Sequence, residues 1–197
     1  MARPRNTRIL IEVSARHAHL TRAHARKLFG HAPTPLREIS QPGQYAAEES
    51  VTLEQKIKGK MFRIERVRVV GPTRKESQIE LALSDCRALG IEKPVIKVSG
   101  SLRGTPGIAL RGPRGKISLR QGVIVAQRHI HCPPGKAKEL GLRNGSVVCV
   151  RVAGKRSVTF ENVFVRVNPN FRFRMHIDTD EANAAGVESG MKGLILT

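Results

Sequence analysis

The chain has 197 residues, with 35 Lys and Arg against 16 Asp and Glu and a net charge of +19. That length buries a core without disulfide staples, and with six Phe, one Tyr and no Trp the core has to come from Val, Ile, Leu and Ala. The basic residues are scattered rather than striped, no nucleic-acid-binding motif spacing appears, and no apolar run approaches a membrane span; polyanionic small molecules, such as a nucleotide-bearing cofactor plus phosphate, explain the charge at least as well as nucleic acid, and so does a solvated basic surface.

Three cysteines, Cys86, Cys132 and Cys149, odd in number and without paired spacing, indicate reduced thiols. The first strand reads over 9–13. The basic residues before it hold no apolar signal core and no room for an amphipathic targeting helix. The strand runs into Val13-Ser14-Ala15-Arg16-His17-Ala18-His19-Leu20. Thr21 as N-cap and Gly30 as stop predict a helix over 21–30, with His24 on it and His31 after it both read as solvated. Residues 31–36 are a loop, and 41–49 open on a Pro-Gly turn and stay polar and small around Tyr45. Short strands are predicted over 51–53, 61–64 and 67–70. The last leads into Gly71-Pro72-Thr73-Arg74. The N–H groups and guanidinium of such a turn suit an oxyanion such as phosphate, although a plain surface turn is the simpler reading of four residues.

A strand over 78–83, a short capped helix over 84–90 and a strand over 94–98 follow. The glycine-rich stretch 99–107 leads to a hairpin, 108–110 with 116–119. The boundary between halves falls here, giving 1–115 and 116–197. The second half opens on a strand over 122–125 and then Val125-Ala126-Gln127-Arg128-His129-Ile130-His131-Cys132. A helix over 135–140, an Asn144-Gly145 turn and strands over 147–152, 163–167 and 171–177 complete it, the last running into Asp178-Thr179-Asp180-Glu181.

Arg-His-x-His thus occurs twice and takes four of the seven histidines. On a strand, residues two apart share a face, so each copy sets two imidazoles side by side, and neutral imidazole is an ordinary zinc ligand. One such pair alone is more often two unremarkable histidines; the duplication favours metal. Aligning Val67-Arg68-Val69 with Val165-Arg166-Val167, and Pro72 with Pro169, needs a one-residue slip afterwards. Gly90 then pairs with Gly186, Asp85 with Glu181 and Glu80 with His176. Each half so acquires a third metal-competent residue, giving His17, His19, Glu80 and His129, His131, His176. Three protein ligands with an open position is the pattern of catalytic zinc. Grouping across the halves stays open at this point, and Asp178 to Glu181 read either as partners of the His176 ring or as helix caps.

The phrases VSARHAHL, SQPGQYAAEE, VVGPTRKESQIE, VIVAQRHIH and MHIDTDEANAAG resemble the phosphate propanoyltransferases of the PduL type. These are zinc-dependent phosphotransacylases associated with bacterial microcompartments and propanediol degradation. The resemblance implies a mainly β fold with short helices: two similar β-barrel domains, each capped by short helices, with strands free to exchange and the active site between them. It implies interconversion of acyl-CoA (propanoyl- or acetyl-CoA) plus phosphate with acyl phosphate plus CoA, by direct attack at a dinuclear zinc site. Carried over by position, it makes His17, His19 and Glu80 the first zinc site and His129, His131 and His176 the second. Arg74 becomes the phosphate-binding arginine, and Val13, Ser14, Ala15, Arg68 and Asn183 become CoA contacts. Many members carry Asn where this chain has Ala15, which keeps a backbone contact there and loses a side-chain one. The resemblance further implies a homodimer in the bacterial cytoplasm, or inside a microcompartment with shell or lumen enzymes as partners; the few basic residues before the first strand do not match the amphipathic extension of encapsulated members. Two other readings of the residues are a dinuclear zinc hydrolase and a basic nucleic-acid-binding protein with structural metal.

Overall fold

The computed structural model describes residues 7–196. The basic residues 1–6, where the sequence predicts no targeting helix, lie outside them. In chain order the elements of the first part are β1 (Thr7–Ser14), β2 (His17–His19), α1 (Arg22–Phe29), β3 (Pro35–Glu38), β4 (Tyr45–Ile57), β5 (Lys60–Gly71), β6 (Gln78–Leu81), α2 (Leu83–Ala88), β7 (Ile96–Lys97), β8 (Ile108–Arg111), β9 (Lys116–Leu119) and β10 (Val123–Ala126). Then come β11 (His129–Cys132), α3 (Pro134–Leu140), β12 (Val147–Val152), β13 (Val158–Val167), β14 (Arg174–Asp178), α4 (Thr179–Ala185) and β15 (Lys192–Leu196). The protein is mainly β with short helices. Among the described residues no helix is long and apolar enough to cross a membrane.

Packing divides the described chain into two units, 15–126 and 7–14 with 127–196. The repeat halves 1–115 and 116–197 do not coincide with these units: β1 packs with the later unit, and β9 and β10 with the earlier one. In the later unit β1-β14-β11-β13-β12-β15 closes as a six-stranded barrel. Its core alternates along the strands, as period-two side chains require: Ile9 and Ile11, Val163 and Val165, Met175 and Ile177 point inward. In the earlier unit nine strands make a curled half-barrel in the order β7-β10-β6-β2-β5-β4-β8-β9, with β3 on β4. Its core is Leu53, Val67, Val69, Ile79, Leu110 and their neighbours. The described residues therefore close one ring. The other sheet is drawn out by the long β4–β5 arm and the β8–β9 hairpin, and no pairing joins β7 to β9 among the described residues.

The β4–β5 arm differs from the sequence reading. Residues 45–49 are not a polar connection; they are the start of β4, with Ala46 and Ala47 buried. The segments 61–64 and 67–70 are one strand interrupted by a bulge at Arg66, whose φ is +56°. The bulge explains why Ile64 and Val67, three apart, both face the core. Asn162, φ +54°, does the same in β13 between buried Phe160 and Val163. These two bulges also correct the repeat alignment. Across β2–β5, His17 lies opposite Arg68; across β11–β13, His129 lies opposite Phe164. Arg68 thus corresponds to Phe164, not Arg166. One constant spacing then links Arg66 with Asn162, Glu80 with His176, Asp85 with Glu181 and Gly90 with Gly186, and the one-residue slip is not needed.

Two candidate metal groups

The first group is built on β2 and the strands beside it. β2 runs antiparallel to β6, with His17 opposite Glu80, and parallel to β5. Ala18 between the histidines is fully buried, which turns His17 and His19 together to the other face. The Nδ1 of His17 is 2.9 Å from the Ala15 carbonyl, and that of His19 is 3.0 Å from the Val70 carbonyl. A carbonyl only accepts, so each Nδ1 carries the hydrogen and each Nε2 keeps its lone pair. The two Nε2 atoms stand 3.2 Å apart. Tetrahedral zinc with Zn–N of about 2.0–2.1 Å separates its ligands by about 3.3 Å, so the spacing suits a shared cation. Glu80 Oε2 is 3.6 Å from Nε2 of His17, and Oε1 is 3.9 Å from Nε2 of His19. Burial, then the neighbouring His17 and Arg74, push His19 down to about 3. It therefore presents a neutral imidazole at any ordinary pH.

The second group repeats the plan on β11 and β14, where His129 lies opposite His176. Nδ1 of His129 is 2.8 Å from the Gln127 carbonyl, and the Nε2 atoms of His129 and His131 are again 3.2 Å apart. Burial, then His176 and His129, push His131 down to about 2. The His131 ring stacks on Phe171 with centroids 3.9 Å apart. In each group the three ligand atoms lie within 4.8 Å of one another. Each group also lies within a single packing unit. His17, His19 and Glu80 thus stand together in one candidate group, and His129, His131 and His176 in the other.

Around these clusters stand residues that sequence reasoning missed. Ser99 Oγ donates to Glu80 Oε1 at 2.9 Å and accepts from Gln78 Nε2 at 2.8 Å. Gln78 Nε2 also donates to Glu80 Oε1, and its Oε1 accepts from Gly100 N at 2.7 Å. Gln78 was open to detection, since it sits two residues before Glu80 on one strand face; Ser99, in a glycine-rich connection, carried no signal. Arg74 joins the same network, with Nη1 3.4 Å from Ser99 Oγ. Its own N–H donates to the Leu20 carbonyl at 2.8 Å, which pins the Gly-Pro-Thr-Arg turn to the end of β2. The network binds the carboxylate of the first group to the guanidinium of that turn.

The remaining expectations divide between agreement and correction. Asp178 is the N-cap of α4, accepting from Glu181 N at 2.8 Å, and Glu181 reaches back to Asp178 N. Beside the His176 ring stands Glu12, with Oε2 3.7 Å from Nδ1, placed there by the β1–β14 register. His24 is not simply solvated: its Nδ1 is 2.7 Å from Ser77 Oγ. His31 is exposed, beside Glu49. All three cysteines are free thiols.

Of the residues expected at CoA, Val13 and Ser14 end β1. Val13 N donates to Ser189 Oγ, and the Ala15 carbonyl is held by His17. Arg68 spends its Nη1 on the carbonyls of Ala47 and Glu48. Asn183 lies on the exposed face of α4.

A family profile described as Phosphate propanoyltransferase matches residues 10–188. The chain is 45% identical over 188 residues to a protein of Sebaldella termitidis, covering 94% of this chain and 87% of that one. It is 46% identical over 185 residues to a protein of Thermotoga maritima (92% and 86% covered) and 48% identical over 183 residues to one of Citrobacter rodentium (92% and 85%). All three are named Phosphate propanoyltransferase.

Proposed function

The chain belongs to the phosphate propanoyltransferase family, whose members are acyltransferases, and from that premise we propose that it interconverts propanoyl- or acetyl-CoA plus phosphate with acyl phosphate plus CoA, using one zinc ion in each histidine group. The observation that carries the metal reading is the two convergent Nε2 pairs, each 3.2 Å apart, with Nδ1 of His17, His19 and His129 committed to a carbonyl and Nδ1 of His176 facing Glu12. Bound there, zinc supplies Lewis acidity that lowers the pKa of a thiol and polarises a carbonyl. In the proposal both groups serve one reaction. The first group would be completed by the Glu80 carboxylate and the second by the His176 imidazole, so that the two bound ions would differ in charge and Lewis acidity.

Arg74 neutralises and aims phosphate. A phosphate oxygen attacks the acyl carbonyl, the new C–O bond forms, the C–S bond breaks and CoA leaves as thiolate. No acyl-enzyme is required: Cys86 and Cys132 are buried, and burial pushes the Cys132 thiol up, away from the reactive thiolate. Val13, Ser14, Ala15, Arg68 and Asn183 belong to the proposal as CoA contacts. So do the repeat halves 1–115 and 116–197 as two related barrel-like domains, a homodimeric state, and a bacterial cytoplasmic or microcompartment setting.

The test is CoA release from propanoyl- and acetyl-CoA with and without phosphate, alongside metal analysis, on wild type and Glu80→Ala. The expected result is phosphate-dependent release with two metals per chain, lost in Glu80→Ala. Release without phosphate would favour a zinc hydrolase, and a burst of acylated enzyme in the absence of phosphate would refute direct attack.

A further inference from the structure

Each His-x-His strand is preceded by an arginine that neither metal group uses. Arg16 Nη1 lies 3.3 Å from Asp85 Oδ1, and Arg128 Nε lies 3.0 Å from Glu181 Oε1. Asp85 and Glu181 are equivalent positions: each is the third residue of the helix that follows the strand bearing the third ligand. The second oxygen of each carboxylate has the same duty. Asp85 Oδ2 accepts from Ala82 N at 3.2 Å, and Glu181 Oε2 accepts from Asp178 N at 3.2 Å. One carboxylate therefore caps the helix with one oxygen and holds the arginine with the other, in both units. The side chains differ by a methylene and the capped residues differ, Ala against Asp, yet the arrangement is the same.

Each pair joins an arginine that is 46% or 32% exposed to a carboxylate that is only 7% or 21% exposed, so it contributes to folding. It also fixes position. β2 has three residues and β11 four, too few for ladder hydrogen bonds alone to hold two imidazoles in register. The third ligand stands on β6 or β14, directly opposite the first histidine. The arginine joins the residue before that histidine to the helix immediately after the opposing strand. It closes a loop made of the strand pair, the chain turn and the helix, with the three ligands inside it.

We infer that Arg16 and Arg128 are positioning residues, each clamping the geometry of its own metal group through the helix-capping carboxylate Asp85 or Glu181. The inference rests on the metal reading above and is tested by metal affinity rather than turnover. In a His129→Ala, His131→Ala background, where the first group alone binds, Arg16→Gln weakens zinc binding in chelator competition about tenfold, the low end of the range for residues outside the ligand shell. Arg128→Gln in that background leaves it unchanged. In a His17→Ala, His19→Ala background the two arginines exchange roles. Asp85→Asn and Glu181→Gln keep an oxygen for the helix cap but lose the charge, and each reproduces the effect of its arginine; Arg→Lys variants recover part of the affinity. Unchanged affinity in the cognate variant, or equal weakening from both arginines in one background, overturns the inference. A wild-type chain binding fewer than two metals overturns the metal reading itself and the inference with it.

Discussion

Gly71 ends β5 and opens the turn that carries Arg74, and it lies opposite Tyr45 across β4–β5. A Cβ placed on Gly71 would fall closer than 3.0 Å to Cζ, Cε2 and Oη of Tyr45. The ring has little freedom to yield: it packs on the core, and its hydroxyl donates to the Pro33 carbonyl at 3.0 Å. Gly71→Ala therefore overpacks a constrained site, which costs about 1–3 kcal/mol. At about 2–4 °C per kcal/mol for a chain of this size, the melting temperature falls by roughly 2–12 °C. The strand end relieves the clash by backing away from Tyr45, carrying Arg74 with it and straining its N–H bond to Leu20. The KM for phosphate rises while that for CoA does not. A double-mutant cycle with Tyr45→Ala, read by urea unfolding and by phosphate KM, isolates the cause. Removing the ring cuts the cost of Gly71→Ala to below about 0.5 kcal/mol, leaving the remainder as coupling. An equal cost of Gly71→Ala in both backgrounds would refute the steric argument.

Ser99→Ala deletes a hydroxyl that serves Glu80, Gln78 and Arg74 at once. At about 1 kcal/mol for the net loss, kcat/KM for phosphate falls roughly fivefold, whereas Ser99→Thr retains most of it; an alanine variant with wild-type phosphate kinetics contradicts the network's role. Phe171→Ala removes the ring stacked on His131, and an aromatic pair of about 0.5–1.5 kcal/mol corresponds to zinc binding roughly two- to tenfold weaker in the second group alone, measured by chelator competition. Glu54 is buried beneath Arg111, Lys116 and Arg63, at 2.9, 2.6 and 3.3 Å. Hydrogen bonds from Arg111, then Lys116, lower its pKa from 4.5 to about 2. Because the folded value lies below the unfolded one, its stabilisation is full above about pH 4.5 and is lost as pH falls toward 2. Wild type therefore loses stability more steeply than Glu54→Gln across that acid window, and salt narrows the gap because the cationic partners are half exposed; parallel pH curves for the two proteins would count against it.

Both candidate metal groups were legible in the sequence because their logic is local. A His-x-His on a strand faces one way by backbone geometry alone, and the internal repeat pointed to Glu80 and His176 as the missing third members. The helix over 21–30 was legible for the same reason: Thr21 caps α1 by accepting from His24 N, and Gly30 ends it at φ +90°. The β4–β5 arm was not. Arg66 and Asn162 sit in bulges that turn a three-residue spacing into a single buried face; asparagine tolerates a positive φ, but an arginine in a strand-like run gives no such signal. The forced slip in the repeat alignment came from matching Val67-Arg68-Val69 with the look-alike Val165-Arg166-Val167, which the strand registers displace by two residues.

The sequence by itself determined the composition of the two clusters, the basic turn at Gly71-Pro72-Thr73-Arg74 and the family, because each rests on short-range spacing or on extended similarity. Tertiary structure alone decided which strands stand beside them. The parallel pairing of β1 with β14 puts Glu12 against His176, and the path of the glycine-rich connection puts Ser99 between Glu80 and Arg74. Tertiary contacts also set Arg16 and Arg128 on the carboxylates of α2 and α4. These contacts depend on hydrogen-bond register between segments far apart in the chain, and a register is a property of two strands together that neither strand carries alone.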